Sequence, residues 1–281
     1  MVNIGYRAAR IQGSWIRSLY KFAIPWIVKR PISQVRKVEV NVFSLSCDRD
    51  LPEQVASIRS FIRYVGIPEK FTVVSDGSYS ERSCQLLRQI HPCVNIVTLD
   101  SIVKDDLPKS IIDYAQNSPM GKKLIVEFSM PIDKATIYVD SDVLFFPDAE
   151  EIANLCESIE KKPRYLPDCA EAFDDRIFRH TWEKSNPVNG GFIWLQKPLN
   201  WEIAVERLLQ LENTPNYFTE QTMLHLTMHR NNAIPLCPNK FILRLDDQFI
   251  YADKYTNNKI ALRHYVNPVR HKFWLSQEIW K

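Results

Sequence analysis

Glycine is scarce in this chain: seven in 281 residues, against 17 prolines. That scarcity argues against a fold built on several glycine-rich phosphate loops. The six cysteines, Cys47, Cys84, Cys93, Cys156, Cys169 and Cys237, include no C-x-x-C pair, so a structural zinc site is not expected. They read instead as small, buried, apolar side chains. No cleavable leader is evident, which makes a cytoplasmic location with free thiols the expectation. The net charge of +3 is nearly neutral for this size and does not suggest a nucleic-acid binder, which usually shows a concentrated basic stripe, so nucleic acid is not an expected partner. Nor is there a run of roughly 18–20 apolar residues that would span a bilayer. The best stretch, 15–28, is interrupted by Arg17, Lys21 and Pro25.

What is present begins with that stretch. At helical spacing Ile4, Ala8, Ile11, Trp15, Leu19, Phe22 and Trp26 share one face, while Arg7, Arg10, Arg17 and Lys21 lie elsewhere. Such a helix can lie flat on an anionic membrane through residues 1–30, or pack on its own domain or a partner subunit. Residues 1–37 therefore read as an amphipathic, basic extension. Residues 38–281 read as one α/β domain, and the whole chain, with 45% hydrophobic and 25% charged residues, has the composition of an ordinary globular protein.

Within that domain strands and helices alternate. The patterns predict strands at 38–45, 71–74, 94–99 and 135–139, and helices at 51–64 and 81–90, the rhythm of a parallel sheet with crossover helices. Further on they predict a helix at 150–161, strands at 164–167 and 191–195, and helices at 201–212 and 219–229.

Asp140 and Asp142 stand two apart where the apolar strand ending at Val139 gives way to a turn, followed by Val143-Leu-Phe-Phe146. In an extended segment residues i and i+2 point the same way. Both carboxylates can thus reach one point at a strand's carboxyl end, where open α/β sheets place their ligands. Two carboxylates on a hard divalent cation leave positions for phosphate oxygens, and a cation there assists a departing diphosphate.

The segment Tyr138-Val-Asp-Ser-Asp-Val143 resembles the apolar strand and D-x-D of nucleotide-diphospho-sugar transferases of the GT-A fold, nearest to glycosyltransferase family 8. The resemblance covers roughly 38–274. It implies a three-layer α/β sandwich around a mixed, mainly parallel sheet, with Asp140 and Asp142 binding Mn²⁺ or Mg²⁺ and, through it, the donor diphosphate. Lys123, in Gly121-Lys-Lys-Leu124, matches a basic residue that contacts the donor. Asn189-Gly190-Gly191 resembles the family's N-x-G segment, with Asn189 toward sugar hydroxyls and the glycines allowing close backbone approach. Glu220-Gln221-Thr222 resembles its D-Q-D motif, with Glu for the first Asp and Thr for the second, and would place Gln221 and Glu220 under the transferred sugar. The segment 262–274 resembles the closing motif H-F-x-G-x-x-K-P-W. That match makes His264 the third metal ligand and Lys272 a diphosphate holder, with Asn267 where Gly is usual, Phe273 for Pro, a longer His-to-Lys interval, and His271 a rival ligand. Asp48 and Asp76, at the ends of the first two strands, are candidates for the nucleotide base.

The implied function is transfer of a sugar from a nucleoside-diphosphate donor to a hydroxyl of a carbohydrate, lipid or protein acceptor, with retention of configuration. An inverting route would need a carboxylate beside the acceptor, for which Asp168, Glu171, Asp174 and Asp175 are placed in one loop. Two other readings remain open at this point. One is a haloacid-dehalogenase-type phosphatase, with Asp140 as nucleophile and Asp246-Asp247 as a metal pair. The other is a GT-A-like domain that binds without turning over.

Overall fold

The computed structural model describes residues 3–104, 107–156, 160–256 and 259–281. A long first helix, α1 (Ile4–Ile27), is capped by the Asn3 side chain, which accepts from the Tyr6 backbone N–H. Then come β1 (Lys37–Ser46), α2 (Leu51–Tyr64), β2 (Ile67–Ser75), α3 (Glu81–Arg88) and β3 (Val94–Thr98). These are the β-α-β units read from the sequence. Two consecutive helices, α4 (Lys109–Asn117) and α5 (Pro119–Ser129), lead to β4 (Thr136–Val139) and β5 (Val143–Phe145). The remainder comprises α6 (Glu150–Cys156), β6 (Arg164–Pro167), β7 (Val188–Leu195), α7 (Glu202–Leu209), α8 (Thr219–Arg230), β8 (Ile234–Pro235), β9 (Phe241–Ile242), β10 (Leu262–His264) and α9 (Arg270–Phe273).

Seven strands form the main sheet in the order β3-β2-β1-β4-β7-β6-β8. The first four run parallel, β7 lies antiparallel between β4 and β6, and β8 runs parallel to β6. Strand β7 is buried along all eight residues, as befits a central strand covered on both faces. Alternation divides the core into two layers. Val42, Ile137, Val139, Phe192 and Trp194 pack with α2, while Phe43, Tyr138, Ile193 and Leu195 pack with α4, α5 and α8. The result is the three-layer sandwich expected. A second sheet, β5-β10-β9, pairs β10 antiparallel to β5 with His264 opposite Val143.

Some expectations are corrected. The described part of α6 is Glu150–Cys156, residues 157–159 lie outside the described ones, and Lys161 is not helical; α7 is shorter than the 201–212 predicted. The cysteines are not the buried residues expected: Cys169 and Cys237 are exposed and the other four half-buried.

Helix α1 joins the α2-side core through Tyr20, Ile24 and Ile27. Tyr20 packs on Trp274 with ring centroids 5.2 Å apart. Gly13 makes this docking possible, because a Cβ there would lie 2.4 Å from the His271 carbonyl oxygen. An alanine would gain about 1 kcal/mol of helix propensity if there were room. Forced overlap of this kind costs about 1–3 kcal/mol. Gly13→Ala is therefore expected to lower the melting temperature in a thermal scan, whereas Ser14→Ala on the exposed side of the same turn raises it slightly. A stabilising Gly13→Ala would show that α1 does not sit this close to α9.

Candidate functional site

The candidate site is built where β4 ends. Tyr138 points to the α5 side of the sheet, and Asp140, two residues on, points the same way. The Tyr138 hydroxyl donates to Asp140 Oδ1 at 3.0 Å, and Lys123 Nζ, from α5, donates to Asp140 Oδ2 at 3.0 Å. Asp142 follows in the turn before β5, its carbonyl accepting from the Tyr265 N–H. The β5–β10 register then sets His264 beside it, with Nε2 3.1 Å from Asp142 Oδ1 and 3.7 Å from Asp140 Oδ2. One ligand atom from each of Asp140, Asp142 and His264 lies within 4.8 Å of the others, the one such group among the described residues. Two carboxylates and an imidazole nitrogen facing a common point suit a divalent cation.

The imidazole is held in place from behind. His264 Nδ1 lies 2.9 Å from Asn189 Oδ1, the same oxygen that accepts from the Gly191 N–H at 2.8 Å. Only with Nδ1 protonated can His264 donate to that amide oxygen, which leaves Nε2 to face the carboxylates. Asn189 is itself oriented by donating to Asp168 Oδ2 at 2.9 Å, and Gln221 donates to the same oxygen at 3.1 Å. The glycine pair also has a steric purpose. A Cβ at Gly191 would lie 2.2 Å from His264 Cε1, and one at Gly190 would press on Lys123 Nζ and Glu127 at 3.0 and 3.1 Å.

Charge is dense here. Burial disfavours the Lys123 ammonium, but Asp140, Glu220 and Glu127 outweigh it and raise its pKa. Glu127 is pushed well above the usual carboxylate range by burial and by the neighbouring Glu220, and Glu220 is raised by burial. Burial alone would raise Asp142, but His264 and Arg270 prevail and hold it at about 2. Burial would lower His264, yet Asp142 and Asp140 raise it.

Lys123, Asp140, Asp142 and His264 line a cavity of about 460 Å³ that also takes in Asn189, Gln221, Arg49 and Arg270. Glu220 lies behind Lys123, almost fully buried, and does not reach it. Lys272 turns away: its ammonium is buried against the Ile250 and Ala252 carbonyls, with Asp247 3.5 Å away. The basic residue facing the cavity from this segment is Arg270, 3.6 Å from Asp142 and 3.5 Å from Asp50. Counting the closing motif's own interval from His264 reaches Arg270 rather than Lys272, a signal the anchor on Trp274 concealed. His271 stacks edgewise on Tyr6, with ring centroids 5.4 Å apart, and is not part of the acidic group. Asp48 and Asp76 are drawn together by Ser78, whose hydroxyl accepts from the Asp48 N–H and donates to Asp76. Asp76 lines a separate cavity of about 600 Å³ with Thr98, Asp100 and Lys122. Gly77 has φ of +100°, a conformation that favours glycine in this turn.

Of the four loop carboxylates, Asp168 reaches the site through Asn189 and Gln221. Asp174 is held by Arg176 and Thr219, Asp175 pairs with Lys184, and Glu171 is exposed. The Asp246-Asp247 pair cannot serve as a phosphatase metal pair, because Asp247 is buried against Arg263 and Asp246 pairs with Lys254. Sequence reasoning did not find Glu127, Arg49 or Arg270.

The parallel-to-antiparallel sheet with an acidic pair at the end of its fourth strand is the GT-A fold of nucleotide-sugar glycosyltransferases. Among solved structures, galactosyltransferase LgtC, in complex with donor and acceptor sugar analogs, superposes with a TM-score of 0.53 at 14% identity, over 81% of this chain and 87% of that one. Mouse xyloside xylosyltransferase 1 gives 0.52 at 10% identity, over 83% of this chain and 99% of that one. Glycosyltransferase GlyE of Streptococcus pneumoniae gives 0.53 at 12% identity, over 87% of this chain and 62% of that one. No family model matches the sequence, and no curated protein matches it.

Two outcomes are expected. Gly191→Ala should displace His264 and weaken Mn²⁺ binding about 10- to 100-fold by calorimetry while the circular dichroism stays unchanged; unaltered affinity would show that His264 is not a ligand. Lys123→Met leaves buried carboxylates without their cation and should destabilise the fold by about 3–5 kcal/mol in urea unfolding. Adding Asp140→Asn, which removes the carboxylate that accepts from Lys123, should restore part of that loss, and no restoration would mean the two side chains act independently.

Proposed function

We propose that this chain is a metal-dependent glycosyltransferase that moves a sugar from a nucleoside-diphosphate donor to an acceptor hydroxyl. The convergence of Asp140, Asp142 and His264 on one point inside a cavity carries the reading. Asp140, Asp142 and His264 would hold Mn²⁺ or Mg²⁺, which when bound supplies Lewis-acid stabilisation of the departing diphosphate. Lys123 and Arg270 add fixed positive charge at the cavity wall, where a preorganised cation contributes most to a transition state that develops negative charge. Gln221 and Asn189, both hydrogen-bonded to Asp168, offer amides to sugar hydroxyls. The nucleotide base is assigned to the region of Asp48 and Asp76.

In the transfer the bond from the anomeric carbon to the diphosphate oxygen breaks, and its electron pair leaves with the diphosphate. A bond from the acceptor oxygen to that carbon forms. With retention, the acceptor proton passes to the leaving phosphate oxygen, so no side chain has to act as a strong base. The acceptor is a hydroxyl of a carbohydrate, free or carried on lipid or protein. A cytoplasmic location, peripheral at a membrane through residues 1–30, belongs to the same reading.

Asp142→Ala tests it. With nucleoside diphosphates and Mn²⁺, the parent chain is expected to show a metal-dependent rise in melting temperature, and with the matching donor, release of nucleoside diphosphate. The variant should lose the metal-dependent thermal shift and at least about a hundredfold in turnover. Full activity in the variant would remove the role given to the acidic pair. The absence of any nucleotide response in the parent chain would remove the transferase reading itself.

A further inference from the structure

We propose that the outward face of α1 is a docking surface for an anionic lipid bilayer, seated beside the rim of the candidate site. No helix is long and apolar enough to cross a membrane among the described residues, so the contact is with a surface. Gly13, Tyr20, Ile24 and Ile27 turn inward, and the opposite face remains uncovered. Ile4, Trp15 and Phe22 are 78%, 71% and 75% exposed, with Ile11, Leu19 and Trp26 also exposed. Six large apolar side chains in one stripe are far more than the scattered exposed apolar residues of an ordinary surface. The stripe does not stop at the helix. Phe249, Ile250 and Tyr251 are exposed as well, and this loop is tied to the helix start by the Asn3 amide donating to the Phe249 carbonyl and by the Tyr6–Phe249 ring contact.

Charge selects the occupant. Before Glu39 the chain has no acidic residue, whereas Arg7, Arg10, Arg17, Lys21, Lys29, Arg30, Arg36 and Lys37 are basic. Arg17 is spent on Glu53 and Arg36 on Glu150. Arg7, Arg10, Lys21, Lys29 and Arg30 lie exposed along and just beyond the apolar stripe. An apolar stripe edged by cations, with tryptophans among its apolar residues, is complementary to the headgroup and upper acyl region of an anionic membrane. A second copy of this chain would instead bring like charges together.

The position of the helix gives the surface a purpose. Arg17 donates to the Arg49 carbonyl, and Gly13 abuts His271; Arg49 and the adjoining Arg270 both line the catalytic cavity. Seated on lipid, α1 places that cavity next to the bilayer. Resting on the transferase reading above, this favours an acceptor carried on a lipid.

The test uses the full chain and vesicles of phosphatidylcholine, with and without phosphatidylglycerol. Co-sedimentation with the anionic vesicles, a blue shift of tryptophan emission and weakening by salt are expected. The combined substitution Trp15→Ser, Phe22→Ser and Trp26→Ser should weaken binding by at least about tenfold, while Trp182→Ser, at an exposed tryptophan of another region, changes nothing. Metal-dependent nucleoside-diphosphate binding should survive the triple substitution, which shows the variant folded and keeps the two proposals separable. A parent chain that ignores anionic vesicles, or a triple variant that binds as well, overturns the proposal. So does light scattering that shows self-association abolished by the triple substitution without any lipid binding. Vesicle binding by a chain that shows no nucleotide response would retain the docking surface and remove only the transferase reading.

Discussion

Lys123 is almost completely buried, donates to Asp140, and has Glu127 and Glu220 close enough for both to raise its pKa. Each ion taken out of water costs several kcal/mol unless it is paired well. The site's geometry depends on how this debt of charge is balanced. One ammonium on α5 serves a carboxylate on its own helix, one just past the end of β4 and one on α8, so it ties α5 to the end of β4 and to the later helix α8. Glu127, with its pKa well above the usual range, limits the negative charge that the ammonium must balance. Of the carboxylates around Lys123, Asp140 is the one that faces the cavity, where a cation can reach it.

Around that centre the fold works by short strands ending near one point. Strand β4 delivers Asp140, the following turn Asp142, β7 the Asn189-Gly190-Gly191 edge, and β10 His264. None of these residues reaches the site by a long flexible loop. His264 is set by register with β5, and its ring is fixed by an amide oxygen on β7. Geometric precision of this kind comes from rigid elements, with side chains locked by their neighbours.

Much of this was legible in the chain. The alternating apolar patterns gave β1 to β4 and α2 because strands and helices buried on defined faces leave period-two and helical signals. The acidic pair stood out because it was wedged between apolar runs, and the Gly-Gly pair because glycine is otherwise so rare. Other features were opaque for physical reasons. Glu127 is one carboxylate within a helix, and nothing in its local spacing foretells burial against Glu220. Arg270 and Lys272 are chemically alike on paper; only the turn of α9 sends one to the cavity and the other into the carbonyls of Ile250 and Ala252. The cysteines escaped full burial because composition gives a tendency and not a position. For α1, periodicity marked an apolar face without telling which neighbours covered it. The structure shows the inward contacts made by the residues between, and the marked stripe left outside.

The close seat of α1 on α9 has a mechanical corollary. A 24-residue helix is roughly 36 Å long at 1.5 Å per residue, and the missing side chain at Gly13 leaves no slack where it crosses the backbone of His271. The helix is therefore a rigid outrigger and not a tether. A flat surface resting along it would meet the protein at a height and tilt set by that packing, and not by the reach of a flexible arm.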